Sequence, residues 1–181
     1  CLGGIAGYLQ NATLTHCVND GAPTCGTIAN TGNGSNSGFH QGGIVGYMKT
    51  SSLTECTNNG ALSAPSGRGG GIVAVATSGQ VTACVNNGDV FSQLGCRTGG
   101  FVGHNEAKIT KCENKGVILS DHTLSGTNYH GSGWAAGYNK SADLTSPTVV
   151  LDPVMADELC LNPNANNHSN TGTKLRETLP E

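Results

Sequence analysis

The stretch that decides the fold is Gly43-Ile44-Val45-Gly46-Tyr47, followed ten residues after Gly46 by Cys56-Thr57-Asn58-Asn59-Gly60. Both halves recur. Gly4-Ile5-Ala6-Gly7-Tyr8, Gly71-Ile72-Val73-Ala74-Val75 and Gly100-Phe101-Val102-Gly103-His104 repeat the first half. Cys17-Val18-Asn19-Asp20-Gly21, Cys84-Val85-Asn86-Asn87-Gly88 and Cys112-Glu113-Asn114-Lys115-Gly116 repeat the second. The four cysteines lie 39, 28 and 28 residues apart. A period of this size, punctuated by glycine, marks stacked supersecondary units, none of which can bury its apolar face alone. A fifth, degenerate copy follows: Gly137-Tyr138 through Leu144-Thr145 matches Gly7-Tyr8 through Leu14-Thr15, with Pro147 where the cysteine would stand.

Within each unit the apolar residues come in short bursts, as in Ile44-Val45 and Leu53, too brief and too glycine-rich for a helix. They read as strands of roughly three to six residues divided by Gly and Asn turns, about three to a coil. Stacked in parallel at about 4.8 Å, equivalent strands give an all-β structure, a right-handed parallel β-solenoid (β-helix) of about five coils, about 24 Å tall. The hand follows from the usual crossover preference. The solenoid is expected over residues 1–146, with a loop insert at 22–41 that lengthens the first interval, and 147–181 form a C-terminal cap and irregular tail.

Each repeated position then has a physical task. Leu14, Leu53, Val81, Ile109 and Leu144 form one aliphatic column, and Ile5, Ile44, Ile72 and Phe101 another. Cys17, Cys56, Cys84 and Cys112 point inward as small hydrophobes, while His16, Glu55, Ala83 and Lys111 just before them face solvent. Asn19, Asn58, Asn86 and Asn114 stack amide on amide and exchange hydrogen bonds along the column. Gly21, Gly60, Gly88 and Gly116 make turns with φ above zero. Gly4, Gly43, Gly71 and Gly100 mark a sharp bend or a close approach of backbone to the next coil. Cys1, Cys25, Cys96 and Cys160 lie off the ladder and are candidates for disulfides tying loops and cap to the rod. Pairing within the ladder, Cys17 with Cys56, Cys84 with Cys112 or Cys56 with Cys84, is the alternative, since neighbouring rungs are within disulfide reach.

Composition narrows the function classes. Charged residues are 12% of the chain, about half the usual share. Nine Lys plus Arg against twelve Asp plus Glu leave no basic face for nucleic acid. The longest apolar run, 69–76, is too short and glycine-rich to cross a bilayer, so direct membrane insertion is not expected. Eight cysteines, an even number, point to an oxidising compartment and a secreted or cell-surface location. Asn11, Asn33, Asn139 and Asn167 open N-x-S/T sequons that would carry glycans in a eukaryotic secretory route. The chain starts at Cys1, inside a repeat, as a mature, processed or cropped product would.

The units resemble the GLUG motif, a short repeat named for its Gly-Leu/Ile-Val-Gly core. The resemblance rests on Gly43-Ile44-Val45-Gly46 and Cys56-Thr57-Asn58-Asn59-Gly60 with their counterparts, and covers about residues 3–146. Ala74 departs from the last Gly of the core and Pro147 from the cysteine. The resemblance implies a multi-copy module of large secreted and surface proteins, such as bacterial adhesins and non-catalytic parts of surface peptidases. It implies no catalytic residue.

Reading the residues for chemistry leads the same way. The six His, at 16, 40, 104, 122, 130 and 168, are scattered, and no Cys-x-x-Cys or His-Glu-x-x-His occurs, so no metal or other cofactor is expected. No Gly-x-Ser-x-Gly elbow and no phosphate-binding Gly-rich motif is present. Glycan-cleaving β-helices need carboxylates on one exposed sheet. Here Glu55, Asp89, Glu106, Glu113, Asp121 and Asp143 fall at unrelated repeat positions. Thr15, Thr54, Thr82, Thr110 and Thr145 form a column of the kind ice-binding solenoids use, but only Thr13 and Thr15 give the paired Thr-x-Thr. His104 falls on the Tyr8/Tyr47 column as its polar variant. The chain therefore reads as a non-enzymatic extracellular structural or adhesive module that spaces domains or presents a binding surface. Its partners would be further repeats of a longer parent, other copies of itself, or a surface protein or glycan. The alternatives are a subunit of a self-polymerising extracellular fibre, and a β-helical polysaccharide-degrading enzyme or ice-binding protein.

Overall fold

The computed structural model describes residues 1–21, 40–64, 67–92, 97–116, 118–120, 131–133 and 136–139. Every strand pairing among them is parallel, and partners come from successive repeats, which makes the molecule a parallel β-solenoid. The first sheet contains Leu2–Gly3, His40–Gly42, Arg68–Gly70, Arg97–Gly99 and Gly131–Gly133. The second contains Ala6–Gln10, Val45–Lys49, Val73–Ala76, Val102–Asn105 and Ala136–Asn139. The third is built from Thr13–Thr15, Ser51–Thr54, Gly79–Thr82 and Lys108–Thr110, the fourth from Val18–Asn19, Thr57–Asn58, Val85–Asn86 and Glu113–Asn114. Leu62–Ala64, Val90–Ser92 and Ile118–Ser120 form the fifth.

A complete coil therefore has five short strands where the sequence suggested three. The reason lies in its corners. Between the third and fourth sheets the chain turns on one residue in the left-handed region: His16 (φ 55°), Glu55 (φ 54°), Ala83 (φ 50°) and Lys111 (φ 55°). Asn11 (φ 51°) and Thr50 (φ 49°) make the same kind of corner between the second and third. Such a backbone costs a residue with a Cβ about 1–2 kcal/mol. It is held because the corner N–H groups stay in the inter-coil ladder: His16, Glu55 and Ala83 donate to the carbonyls of Thr54, Thr82 and Thr110 at 3.1, 3.0 and 3.0 Å.

The glycines expected to supply positive φ do something else. Among the described residues only Gly67 and Gly79 have it. A Cβ on Gly88 would lie 2.1 Å from the Gly60 carbonyl oxygen, and one on Gly116 would lie 1.9 Å from that of Gly88, so stacking distance excludes a side chain there. Gly43 and Gly71 combine two constraints, since a Cβ would meet the next coil's carbonyl at 2.1 and 2.3 Å and the amide carbon of Asn58 or Asn86 at 2.4 Å. The loop expected over 22–41 also ends earlier, because His40–Gly42 is already strand and Gln41 is buried. Residues 22–39, and all of the expected cap and tail at 147–181, lie outside the described residues.

The core is a set of aliphatic columns along the axis. Leu14, Leu53, Val81 and Ile109 are in register, and the last three are fully buried. Ile44, Ile72 and Phe101 are also fully buried, with Val45, Val73 and Val102 beside them. The first coil sits at the edge of the sheets, and its matching residue Ile5 is 44% exposed.

Candidate functional site

The repeated polar residues form a closed internal ladder. Asn19 Nδ2 donates to Asn58 Oδ1, Asn58 Nδ2 to Asn86 Oδ1 and Asn86 Nδ2 to Asn114 Oδ1, at 2.8, 2.8 and 2.7 Å. Each amide also donates to the carbonyl two residues on, Gly21, Gly60, Gly88 or Gly116, at 2.8 to 3.0 Å. At Asn58 and Asn86 both amide hydrogens and the acceptor are thus satisfied in a dry interior. One position on, an exposed column runs beside it, with Asn59 donating to Asp20 and Asn87 to Asn59.

The cysteine column is equally structural. Cys56, Cys84 and Cys112 are fully buried, Cys17 is half-buried, and all four thiols are free. Each donates to the carbonyl two residues back, Thr15, Thr54, Thr82 or Thr110, at 3.4 to 3.5 Å. Contact with Cys84, together with burial, pushes the Cys56 thiol well up, and contact with Cys112, together with burial, pushes Cys84 up to about 12. Neither is a thiolate at neutral pH, so neither is a nucleophile.

Of the remaining sites, Cys1 is exposed and free, whereas Cys25, Cys96 and Cys160 lie outside the described residues. Asn11 is exposed at its corner; Asn139 ends a strand of the second sheet, and Asn33 and Asn167 lie outside the described residues. The threonine column is in register, with Thr82 and Thr110 hydroxyls 3.2 Å apart and Thr54, Thr82 and Thr110 half-buried.

The chemically richest surface lies where the first and second sheets meet. Tyr8, Tyr47, Val75, His104 and Tyr138 are in register on the second sheet, so His104 does occupy the tyrosine column. Next to it, His40, Arg68 and Arg97 are in register at the start of the first-sheet strands, a column the sequence reading missed. The Tyr8 and Tyr47 rings are stacked, 5.2 Å between centroids and 5° from parallel. The ring of His40 lies 6.2 Å from Tyr47. An Arg68 N–H donates to His40 Nε2 at 3.3 Å, Arg97 donates to His104 Nδ1, and His104 Nε2 lies 3.0 Å from Glu106 Oε1.

These contacts fix the imidazole as neutral, since Nδ1 must accept from a guanidinium while Nε2–H donates to the carboxylate. The electrostatics agree. Burial holds His104 below the usual imidazole range, with Glu106 opposing and the two arginines adding to the effect. Arg68 is also lowered, first by burial and then by the like charge of Arg97. With both ring nitrogens engaged, His104 has no lone pair to offer a substrate as a general base. Among the described residues, no group of three His, Cys, Asp or Glu is placed to hold a metal ion.

Comparison of the chain with protein-family models, curated proteins and solved structures gives no match, so the site is read from its own residues.

Proposed function

We propose that the chain is a non-enzymatic, extracellular structural and adhesive repeat module of the GLUG-like kind, which spaces other domains or presents a binding surface. The observation that carries this reading is that the repeated polar and apolar residues of the inner coils are engaged in coil-to-coil contact. The Asn ladder, the thiol column and the close-approach glycines all serve stacking. The varied corner residues His16, Glu55 and Lys111 face outward, as in a scaffold that displays residues without converging them on a reacting atom. Heavy, even cysteine usage supports a secreted or surface location.

A second reading, a self-polymerising fibre subunit, has a specific observation in its favour. The first coil exposes residues whose counterparts are more covered inside: Ile5 at 44%, where Ile44, Ile72 and Phe101 are fully buried, and Tyr8 at 55% and Val18 at 52%, where Tyr47 and Val85 are half-buried. Among the described residues Asn19 Oδ1 accepts only the Gly21 N–H, at 3.3 Å, where Asn58 and Asn86 accept an amide from the neighbouring coil. That end is a template for one more coil of the same chemistry, supplied by further repeats or by another copy. Electron microscopy of the purified protein separates the readings: discrete short rods are expected for the module, regular filaments for the fibre. Turnover in a broad polysaccharide screen would overturn both.

A further inference from the structure

We propose that Cys17 and Cys56 form a binding site for a soft divalent metal cation of linear, two-coordinate geometry, with the mercuric ion as the type case. The inference goes beyond the module reading and does not depend on it. Register sets the four ladder cysteines on successive rungs. Thr15, Thr54, Thr82 and Thr110 before them, and Val18, Thr57, Val85 and Glu113 after them, are Cα partners from coil to coil. All four thiols are free. Each donates to the carbonyl two residues back at 3.4 to 3.5 Å, which holds the four side chains in one orientation. Their sulfurs therefore repeat at the rung spacing, about 4.8 Å.

That spacing decides what can bridge two rungs. A disulfide needs Cβ atoms about 3.8 Å apart and sulfurs about 2.05 Å apart, so it does not close in this orientation without moving the coils. A zinc-type site needs four ligands in a tetrahedron. The column offers two sulfurs to any one point, and among the described residues no group of three His, Cys, Asp or Glu is placed to hold an ion. Two collinear metal–sulfur bonds of about 2.3 Å each span about 4.6 Å, which matches one rung. Sulfur ligands select a soft ion over calcium or magnesium.

Burial selects the charge of the ion. The Cys17 thiol is pushed up by burial and then by Cys56, and the Cys56 thiol by contact with Cys84 together with burial. Neither sulfur carries a charge at neutral pH, and a complex made there is least costly when it is neutral. A divalent ion meets that condition. Two S–H bonds break, two metal–sulfur bonds form and two protons pass to solvent, with no electron transferred and no net charge left on the bridge. A monovalent ion would leave one negative charge inside. Cys17 provides the entry, because it is half-buried on the edge coil while Cys56, Cys84 and Cys112 are fully buried. The ion is captured there, and Cys56 one rung further in closes the bridge, stapling the first coil to the second.

The test loads the full chain with mercuric, zinc or cadmium chloride, dialyses it against excess glutathione and counts metal per chain. An isolated cysteine yields mercury to the free thiol, whereas two cysteines held one rung apart act as a single chelate and keep it. The wild type is expected to retain one mercury per chain more than Cys17→Ser, and as much as Cys1→Ser, with the circular dichroism spectrum unchanged. X-ray absorption should show two sulfurs at about 2.3 Å from the mercury. If Cys17→Ser perturbs the fold, alkylation of the dialysed wild type decides: Cys1 should still be labelled and Cys17 should be protected. Equal retention by a folded Cys17→Ser variant, unprotected Cys17, zinc or cadmium retained through Cys17, or three or more sulfurs around the mercury overturns the assignment. The module reading stands or falls on microscopy and polysaccharide turnover, and no outcome of this test bears on it.

Discussion

Replacing Asn86 by Ala tests whether the internal amide ladder holds the coils together. Asn86 makes three side-chain hydrogen bonds, donating to Gly88 O at 2.8 Å and Asn114 Oδ1 at 2.7 Å and accepting from Asn58 Nδ2 at 2.8 Å. All three partners are shut off from water beside a fully buried residue. Truncation strands one donor and two acceptors, and each stranded buried group costs about 1–3 kcal/mol. The expected destabilisation is about 3–6 kcal/mol, a large share of the roughly 5–15 kcal/mol that holds a domain folded. Asn87→Ala is the control. It is the same chemical change one residue along, at an exposed site where water replaces the bond to Asn59, and it should stay within about 0.5 kcal/mol.

Urea unfolding followed by far-ultraviolet circular dichroism measures both variants under one condition. Asn86→Asp sharpens the test because it keeps the shape but removes both amide donors, setting oxygens against the oxygens of Gly88 and Asn114. An ionised carboxyl is disfavoured there, so its folded-state pKa is raised. The variant's deficit should therefore be smallest in acid and grow as pH rises above the ordinary carboxylate range. If Asn86→Ala and Asn87→Ala shift the urea midpoint equally, the ladder is not what binds the coils and the reasoning fails.

The other predictions follow from the same geometry. Gly71→Ala should abolish folding or cost more than about 3 kcal/mol, because the added Cβ lies 2.3 Å from Gly100 O and 2.4 Å from the Asn86 amide. Gly21→Ala, whose Cβ meets only Asn19 Oδ1 at 3.7 Å, should be close to neutral by thermal melt. Ala83→Gly should raise stability by up to about 1 kcal/mol, since relief of the left-handed strain outweighs the added unfolded-state entropy. Among the described cysteines, native-state alkylation read by mass spectrometry should label Cys1 first and Cys17 more slowly, and leave Cys56, Cys84 and Cys112 untouched until the chain unfolds. His104 protonates less readily folded than unfolded, so stability should fall as pH drops below about 6.5, and His104→Gln should flatten that slope.

The repeat was legible because stacking makes the same demand of every coil. A residue that must bond its own copy one rung away is fixed in type, which is why Asn19, Asn58, Asn86 and Asn114 stand out in a bare sequence. The same logic located the aliphatic columns and the close approach at Gly43 and Gly71. The corners were not legible. Left-handed backbone at His16, Glu55, Ala83 and Lys111 has no residue-type signal, since four unrelated side chains share one conformation. Their common feature is their place immediately before the ladder cysteine, which led only to the inference of a solvent-facing site. Missing those corners led to three strands per coil in place of five, and to positive φ being assigned to Gly88 and Gly116, whose constraint is the carbonyl of the coil beneath.

The arginine column was missed for the opposite reason. His40, Arg68 and Arg97 occupy one register position but differ in type, so a search for identical residues passes over them. A motif search ranks positions by sameness and so collects those that build the rod. In a solenoid the register supplies what sameness cannot: once Gly42, Gly70 and Gly99 are aligned, the residues two places before them fall on one line. Asn105 makes the point inside the core. It takes the register place of Leu9, Met48 and Ala76, yet it is fully buried because its amide closes on Ala107, donating to the carbonyl at 2.9 Å and accepting the N–H at 3.0 Å. A polar residue in an apolar column is thus tolerated where it satisfies itself locally.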